Sequence, residues 1–183
     1  MFVDWDWDAS SPLLSGNTKQ LERSGEGNKI VTKIDENSDD KHNLVTSRVM
    51  DSGKHRISFK MMKGERASKL AVAVGVTRDG AAWNKWHGQA NSMDGWLMDT
   101  ELGSLFGNGK SADDNTGEIK NGQIVSVELD ADAGTLKFWV DSKPHSSGWS
   151  SGVKGRLLWA ANLYNVGNAA QIVPTPDLEE WTE

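Results

Sequence analysis

Cysteine is missing from this 183-residue sequence, and its absence excludes several kinds of chemistry. Disulfides, cysteine-ligated zinc, iron–sulfur clusters and thiol catalysis all require the missing thiol. The sequence also lacks an Asn-x-Ser/Thr sequon, a secretory hydrophobic segment and any apolar run near the ~18–20 residues of a membrane span. Positive charge is in deficit, since 20 Lys and Arg against 26 Asp and Glu give a net charge of −6. A general nucleic-acid binder needs basic charge to displace counterions, so that class is disfavoured.

What the sequence does contain is a series of short stretches in which apolar and polar residues alternate. A period of two is the pattern of a half-buried β-strand, and no stretch has a convincing helical period. In 70–76 the alternate positions are small, which is typical of a central strand covered on both faces. Turn pairs such as Asp79-Gly80 and Asn121-Gly122 favour tight hairpins between the stretches. The pattern predicts an all-β sandwich or barrel with strands at 56–61, 70–76, 123–129, 135–140, 157–163 and 170–173.

Three acids alternate in one predicted strand and its turn, at Glu128, Asp130 and Asp132. Some sandwich-fold glycosidases place carboxylates on a strand in this way, because hydrolysis needs a carboxylate pair about 5–9.5 Å apart. A hairpin turn, in which Asp130 and Asp132 accept backbone N–H bonds, is the favoured interpretation. The same stretch is similar to half of a calcium loop, but Ala133 stands where an oxygen ligand is needed.

Other chemical motifs are weak or missing. The four histidines have no metal-ligand spacing, and no Gly-x-Ser-x-Gly nucleophile elbow occurs. Gly109-Lys110-Ser111 resembles the end of a phosphate-binding loop, but Ser104 replaces the glycine that the motif needs. The basic residues between Lys54 and Lys69 are interpreted as the solvated face of a hairpin. We therefore expect no catalytic residue, no metal and no cofactor.

Three groups of segments, in order along the chain, resemble the SPRY (B30.2-type) domain family. Val49–Lys60 is similar to the family's "SGKHYWEV" strand entry, and Ala73–Val76, Asp94–Leu97 and Leu105–Lys110 are similar to its middle strands. Gly117–Asp130, Gly134–Pro144 and Leu157–Tyr164 carry the most specific similarity. Ser142 stands where the family usually has glycine in a hairpin, and Trp159-Ala160 replaces the usual Tyr-Pro step.

The resemblance covers about residues 5–173 and implies a single domain over 1–183, followed by an irregular acidic tail from about 174. It implies two antiparallel sheets in a curved, jelly-roll-like (concanavalin-type) β-sandwich. It also implies a non-catalytic module that binds a short peptide or protein surface. Such modules recruit substrates or act as scaffolds within larger proteins or ubiquitin-ligase complexes.

The resemblance further implies that loops at one end of the sandwich bind the partner. The loop after Val76 carries two tryptophans, of which one is expected to be structural and one to anchor a ligand. The loop that follows the late strand carries Tyr164, the only tyrosine of the sequence. An early basic residue, Lys33, aligns with a contact that some members use. The expected partner-binding residues are Arg78, Trp83, Asn84, Trp86, His87, Asn162, Tyr164, Asn165, Val166 and Lys33.

Two other functions stay open from the sequence. A carbohydrate-binding or carbohydrate-cleaving sandwich would use exposed tryptophan for sugar stacking, but the missing sequons, secretory features and calcium set favour the peptide binder. A purely structural domain would need no surface of its own. The preferred interpretation is a protein or peptide binder that is monomeric as an isolated domain, lies inside the cell, in the cytoplasm, and contacts neither nucleic acid nor membrane.

Overall fold

The computed structural model describes residues 5–7, 21–35, 43–81, 95–107, 110–111, 116–145 and 148–180. Within these ranges the regular structure is almost entirely β, with one short 3-10 turn at Glu26–Asn28. None of the described residues belongs to a helix that is long and apolar enough to cross a membrane. The strands are β1 (Leu21–Ser24), β2 (Ile30–Lys33), β3 (Asn43–Met50), β4 (Lys54–Lys63), β5 (Val72–Arg78), β6 (Gly95–Asp99), β7 (Leu105–Gly107), β8 (Lys110–Ser111), β9 (Ile124–Asp130), β10 (Thr135–Val140), β11 (Lys143–Pro144), β12 (Leu157–Leu163) and β13 (Asn168–Val173).

These strands form two sheets, and neighbouring strands in both sheets are antiparallel. One sheet has seven strands in the order β1-β2-β13-β4-β9-β10-β11, and the other has six in the order β3-β12-β5-β6-β7-β8. This arrangement confirms the predicted all-β sandwich of two antiparallel sheets.

Alternation places the core between the sheets. In β4, Ile57, Phe59 and Met61 are at most 1% exposed and join one continuous apolar cluster. The same cluster receives three residues from β9, Val125, Val127 and Leu129, and two from β10, Leu136 and Phe138. Because side chains alternate along a strand, the intervening residues of these strands point to the outer face.

β5 is central, as its small alternate residues predicted, although it begins two residues later than expected. It lies between β12 and β6, with Val74 and Val76 in the core and Ala73 and Gly75 on the outer face. All four residues are buried. The outer cluster of Ala73, Ala81, Leu97 and Ala160 is also buried, so this part of the sheet is covered on both faces.

Two tryptophans in the first described segment fasten it to the sandwich. Trp7 is 1% exposed and stacks on Phe59 with ring centroids 5.6 Å apart. Trp5 meets Trp159 edge-on at 5.9 Å. Each indole N–H donates to a backbone carbonyl, from Trp5 to Arg56 at 2.9 Å and from Trp7 to Lys29 at 3.1 Å. Residues 5–7 therefore pack as side-chain anchors without forming a strand.

Gly75 gives a direct test of the close packing around β5. A Cβ atom at this position would collide with the carbonyl oxygen of Trp96 and lie 3.0 Å from the Cα of Leu97. Gly75→Ala should therefore push β5 and β6 apart and lower the free energy of unfolding by about 3 kcal/mol. Gly152→Ala is the control, because Gly152 has a φ of +88° and open space around it. It should cost only about 1 kcal/mol of backbone strain. Equal losses in urea-induced unfolding would contradict this account of β5.

Candidate binding surface

The register of β12 on β5 separates the two loops that the sequence assigned to one surface. Leu157 lies opposite Arg78, and Leu163 lies opposite Val72. Arg78 is therefore at one end of this strand pair, and the residues that follow Leu163 are at the other. The expectation that Arg78 and the 162–166 loop share one end of the sandwich is wrong, because the two strands are antiparallel.

At the first end, Arg78 is held above the core. Its guanidinium carbon lies 5.0 Å from the centroid of the Trp96 ring, and Trp96 itself is buried. The next residue, Asp79, forms an ion pair with Arg156 at 3.1 Å. The other candidates of this loop, Trp83, Asn84, Trp86 and His87, lie outside the described residues.

At the opposite end, which we call the Tyr164 end, three segments converge. They are residues 64–71 between β4 and β5, residues 100–104 after β6 and residues 164–167 between β12 and β13. The Tyr164 amide donates to the carbonyl of Ala71 at 3.1 Å, and the Gly64 amide donates to that of Gly167 at 2.9 Å. The Gly167 amide in turn donates to the carbonyl of Lys33 at 2.8 Å. The loop is therefore tied to two neighbouring segments through its own backbone.

Two asparagines reinforce this loop. The Asn165 side-chain amide donates to the carbonyl of Lys69 at 3.1 Å. The Asn168 amide donates to the carbonyls of Lys69 at 3.2 Å and Ala71 at 3.3 Å. Asn168 is completely buried, so its hydrogen bonds are made without competing solvent. These bonds fix the backbone that presents Tyr164.

Charges of both signs border Tyr164. The Lys69 ammonium forms an ion pair with Glu101 at 2.7 Å, and this hydrogen bond raises the pKa of Lys69. The backbone bonds of the loop bring Tyr164 near this ion pair, since Tyr164 bonds to Ala71 and Asn165 bonds to Lys69 itself. Leu102, next to Glu101, is 50% exposed, a large apolar side chain left on the surface. The end thus combines a partly exposed aromatic ring, an exposed leucine and an ion pair.

Asp99 lies below this surface with only 8% of its area exposed. Burial raises the pKa of Asp99 to about 6, and the Glu101 amide, which donates to its carboxylate at 3.2 Å, offsets part of that effect. Thr100, which is also buried, accepts from the Val72 amide at 3.0 Å and donates to the Leu70 carbonyl at 3.3 Å. The polar groups under the loop are thus integrated into the backbone network.

The structure distributes the predicted site residues unevenly. Tyr164, Asn165 and Val166 are partly exposed at the Tyr164 end. Lys33 and Asn162 are each only 1% exposed, so neither side chain contributes to the surface. Sequence reasoning missed Lys69, Glu101 and Leu102. Lys69 and Glu101 are 32 residues apart, so no local motif links them.

The acidic stretch of β9 forms a turn and ion pairs. The Ala133 amide donates to the Asp130 carboxylate at 2.8 Å, which confirms the turn interpretation, and this bond lowers the pKa of Asp130. Asp130 also pairs with Lys54 at 3.4 Å, and Glu128 pairs with Arg56. A general acid needs a raised pKa, so Asp130 does not suit that role. Within the described ranges, no group of three acidic or histidine side chains could hold a metal ion.

Comparison with known proteins identifies the fold. No protein-family model and no curated protein sequence matches the chain. The SPRY domain of human HERC1 superposes with a TM-score of 0.64 and 19% identity, covering 84% of this chain and 94% of that one. The TRIM65 PSpry domain superposes with a TM-score of 0.65 and 12% identity, covering 95% of this chain and 94% of that domain. The stonustoxin structure superposes with a TM-score of 0.59 and 19% identity, covering 93% of this chain and 27% of the toxin chain.

These similarities show that the chain has the SPRY-type fold, a curved jelly-roll-like β-sandwich. The fold was implied by the sequence resemblance and is confirmed here from the arrangement of the strands.

The buried carboxyl of Asp99 predicts a pH-dependent stability. Its raised pKa means that between pH 4 and 6 the folded chain keeps a proton that the unfolded chain has lost, so stability falls as the pH rises. Asp99→Asn retains a carbonyl acceptor for the Glu101 amide but cannot ionise. At pH 7 it should raise the free energy of unfolding by about 1–3 kcal/mol, with little gain below pH 4. Urea unfolding at both pH values checks this, with the exposed Glu118→Gln as control. An equal gain at both pH values, or a loss at pH 7, would contradict it.

Proposed function

We propose that this chain is a non-catalytic protein-interaction module that binds a short peptide or a protein surface at the Tyr164 end. The observation that carries the proposal is the fixed backbone of the 164–168 loop, which presents a partly exposed tyrosine at the same end of the sandwich as an ion pair and an exposed leucine. A loop that is ordered before binding loses little conformational entropy on association. Aromatic anchors within a polar rim are the usual composition of binding hot spots.

The surface favours a particular ligand chemistry. An apolar or aromatic ligand side chain would pack against Tyr164 and Leu102. Lys69 and Glu101 would bind flanking charges of opposite sign, and the tyrosine hydroxyl would pair with a backbone carbonyl of the ligand. We therefore infer an extended segment with one apolar anchor between charged residues.

The SPRY-type fold supports an interaction role, since the sequence resemblance implies peptide or protein binding for that family. On the same basis we propose that the domain recruits substrates or acts as a scaffold within a larger intracellular protein or a ubiquitin-ligase complex. Arg78, at the other end of the β5–β12 pair, would then belong to a separate patch. Arg78 is about 23 Å along the strand pair from Tyr164 at ~3.3 Å per residue, so only a long ligand would contact both.

A peptide-selection experiment tests the proposal. A random peptide library is selected on the wild-type chain, and the affinities of the selected peptides are then measured for variants of equal thermal stability. Tyr164→Ala should weaken binding at least 10-fold, because truncating an anchor costs more than about 1.4 kcal/mol. Val49→Ala is the control, since Val49 is also an exposed apolar residue, 37% exposed, and lies in β3 opposite Leu158, near the other end.

Unchanged affinity in Tyr164→Ala, or an equal loss in Val49→Ala, would contradict the proposal. Loss of binding in Arg78→Ala alone would move the site to the opposite end of the sandwich. A library that yields no binding peptide, followed by binding to immobilised glycans, would favour the carbohydrate alternative.

A further inference from the structure

Three residues on the outer face of the seven-stranded sheet are buried although they point away from the core. Ser58, Ser126 and Trp139 alternate with core residues in β4, β9 and β10 and have exposed fractions of 0%, 1% and 3%. Strand register aligns them in one row, since Ser126 lies opposite both Ser58 and Trp139. The two serine hydroxyls are 2.7 Å apart and share a hydrogen bond. Something outside the sheet must cover this row.

The cover is the segment that follows β13, residues 174–180, which we call the strap. It contains no strand or helix and begins beside the row, because Val173 lies opposite Ser58. Ser58 donates to the Thr175 hydroxyl at 3.0 Å, and the indole N–H of Trp139 donates to the carbonyl of Glu179 at 2.9 Å. The Glu179 amide donates to the carbonyl of Ser142 at 2.9 Å. The strap therefore crosses from β13 to the β10–β11 turn.

The distances fit an extended chain laid across the strands. From β13 to β10 there are three inter-strand spacings, or ~14 Å at ~4.8 Å each. Six residue steps from Val173 to Glu179 span up to ~20 Å, enough to reach Trp139 and the following turn. Pro174 and Pro176 lack the N–H that a ladder requires, so the strap cannot continue β13 as a strand over these residues.

Chemical complementarity accompanies this fit. The strap carries Asp177, Glu179 and Glu180. The outer face of the neighbouring strands carries Lys60 and Lys137, and it also carries Arg56, which is paired with Glu128. Its Leu178 is half-buried. At the far end, Ser142 has a φ of +71°, a conformation that favours glycine, and its carbonyl accepts the strap's Glu179 amide. The strap thus binds a turn that is itself strained.

We propose that the Ser58–Ser126–Trp139 row is a peptide-docking surface, separate from the Tyr164 end, whose occupant is the chain's own strap bound in cis. The indole N–H and the Ser142 carbonyl bind one backbone unit of the occupant, as a donor and acceptor pair. The row selects an extended acidic segment. A strap supplied in trans binds the same row when the covalent one is removed.

The first experiment uses a chain that ends at Val173 and a fluorescent peptide with the sequence of residues 174–183. The peptide should bind the shortened, folded chain with a micromolar Kd and should not bind the intact chain, whose row is occupied. Trp139→Phe in the shortened chain keeps an aromatic ring but removes the N–H donor, so it should weaken binding about 10-fold. Trp149→Phe is the matched control and should leave the affinity unchanged, since Trp149 contacts Phe138 from the core side. A peptide of scrambled order should not bind.

A second variant covers the case in which the shortened chain fails to fold. A protease site inserted between Val173 and Pro174 is cleaved after folding, and the cleaved strap is followed by size-exclusion chromatography. The proposal requires that the strap stays bound at high protein concentration and exchanges with added labelled peptide on dilution. Immediate loss of the strap from a folded chain, or equal peptide binding by the intact and shortened chains, would overturn it. Binding that Trp139→Phe leaves unchanged would overturn the assigned row.

Discussion

The pairing of β12 with β5 is the constraint on which the rest of the structure depends. At the middle of the pair, large side chains point to the core and small ones to the outer face, with Trp159 opposite Val76 and Ala160 opposite Gly75. A slip of one residue would place Trp159 on the outer face and Ala160 in the core. Since Gly75 also meets Leu97 of β6 with no room for a Cβ, the register is fixed from both sides.

From this register follows the division of the molecule into two ends. The Tyr164 end collects buried polar groups and bonds several of them to neighbouring backbone: the carboxylate of Asp99 accepts from the Glu101 amide, and the side-chain NH2 of Asn168 donates to the carbonyl of Lys69. Burial of Asp99 destabilises the fold at neutral pH, and the same group helps to position the corner that carries Glu101. The fold is thus less stable at neutral pH because of the same buried carboxyl that helps to order this loop. Such a loss of stability is common at functional sites.

Sequence reasoning succeeded where a periodic pattern exists and failed where segments meet through space. Alternation located β4, β9, β10 and β12 and the central place of β5. It did not show that the loops beginning at Arg78 and Tyr164 lie at opposite ends. The sequence of a single strand does not reveal which strand it pairs with or in which direction. Lys69 and Glu101 are far apart in the sequence, and only the folded chain brings them together as an ion pair. The irregular tail was expected, but its position was not, although an outward-facing Trp139 in a buried strand was a signal that something covers it.

The most direct test measures the separation of the two ends. The chain has no cysteine, so Arg78→Cys and Tyr164→Cys allow spin labels to be attached at two defined positions. Tyr164 bonds to Ala71, seven residues before Arg78, so the Cα atoms should be about 23 Å apart before label length is added. A control pair at Asp79 and Arg156, which are in contact, should give a short distance. If the first pair is no farther apart than the control pair, the register and the separate Tyr164 end are both wrong.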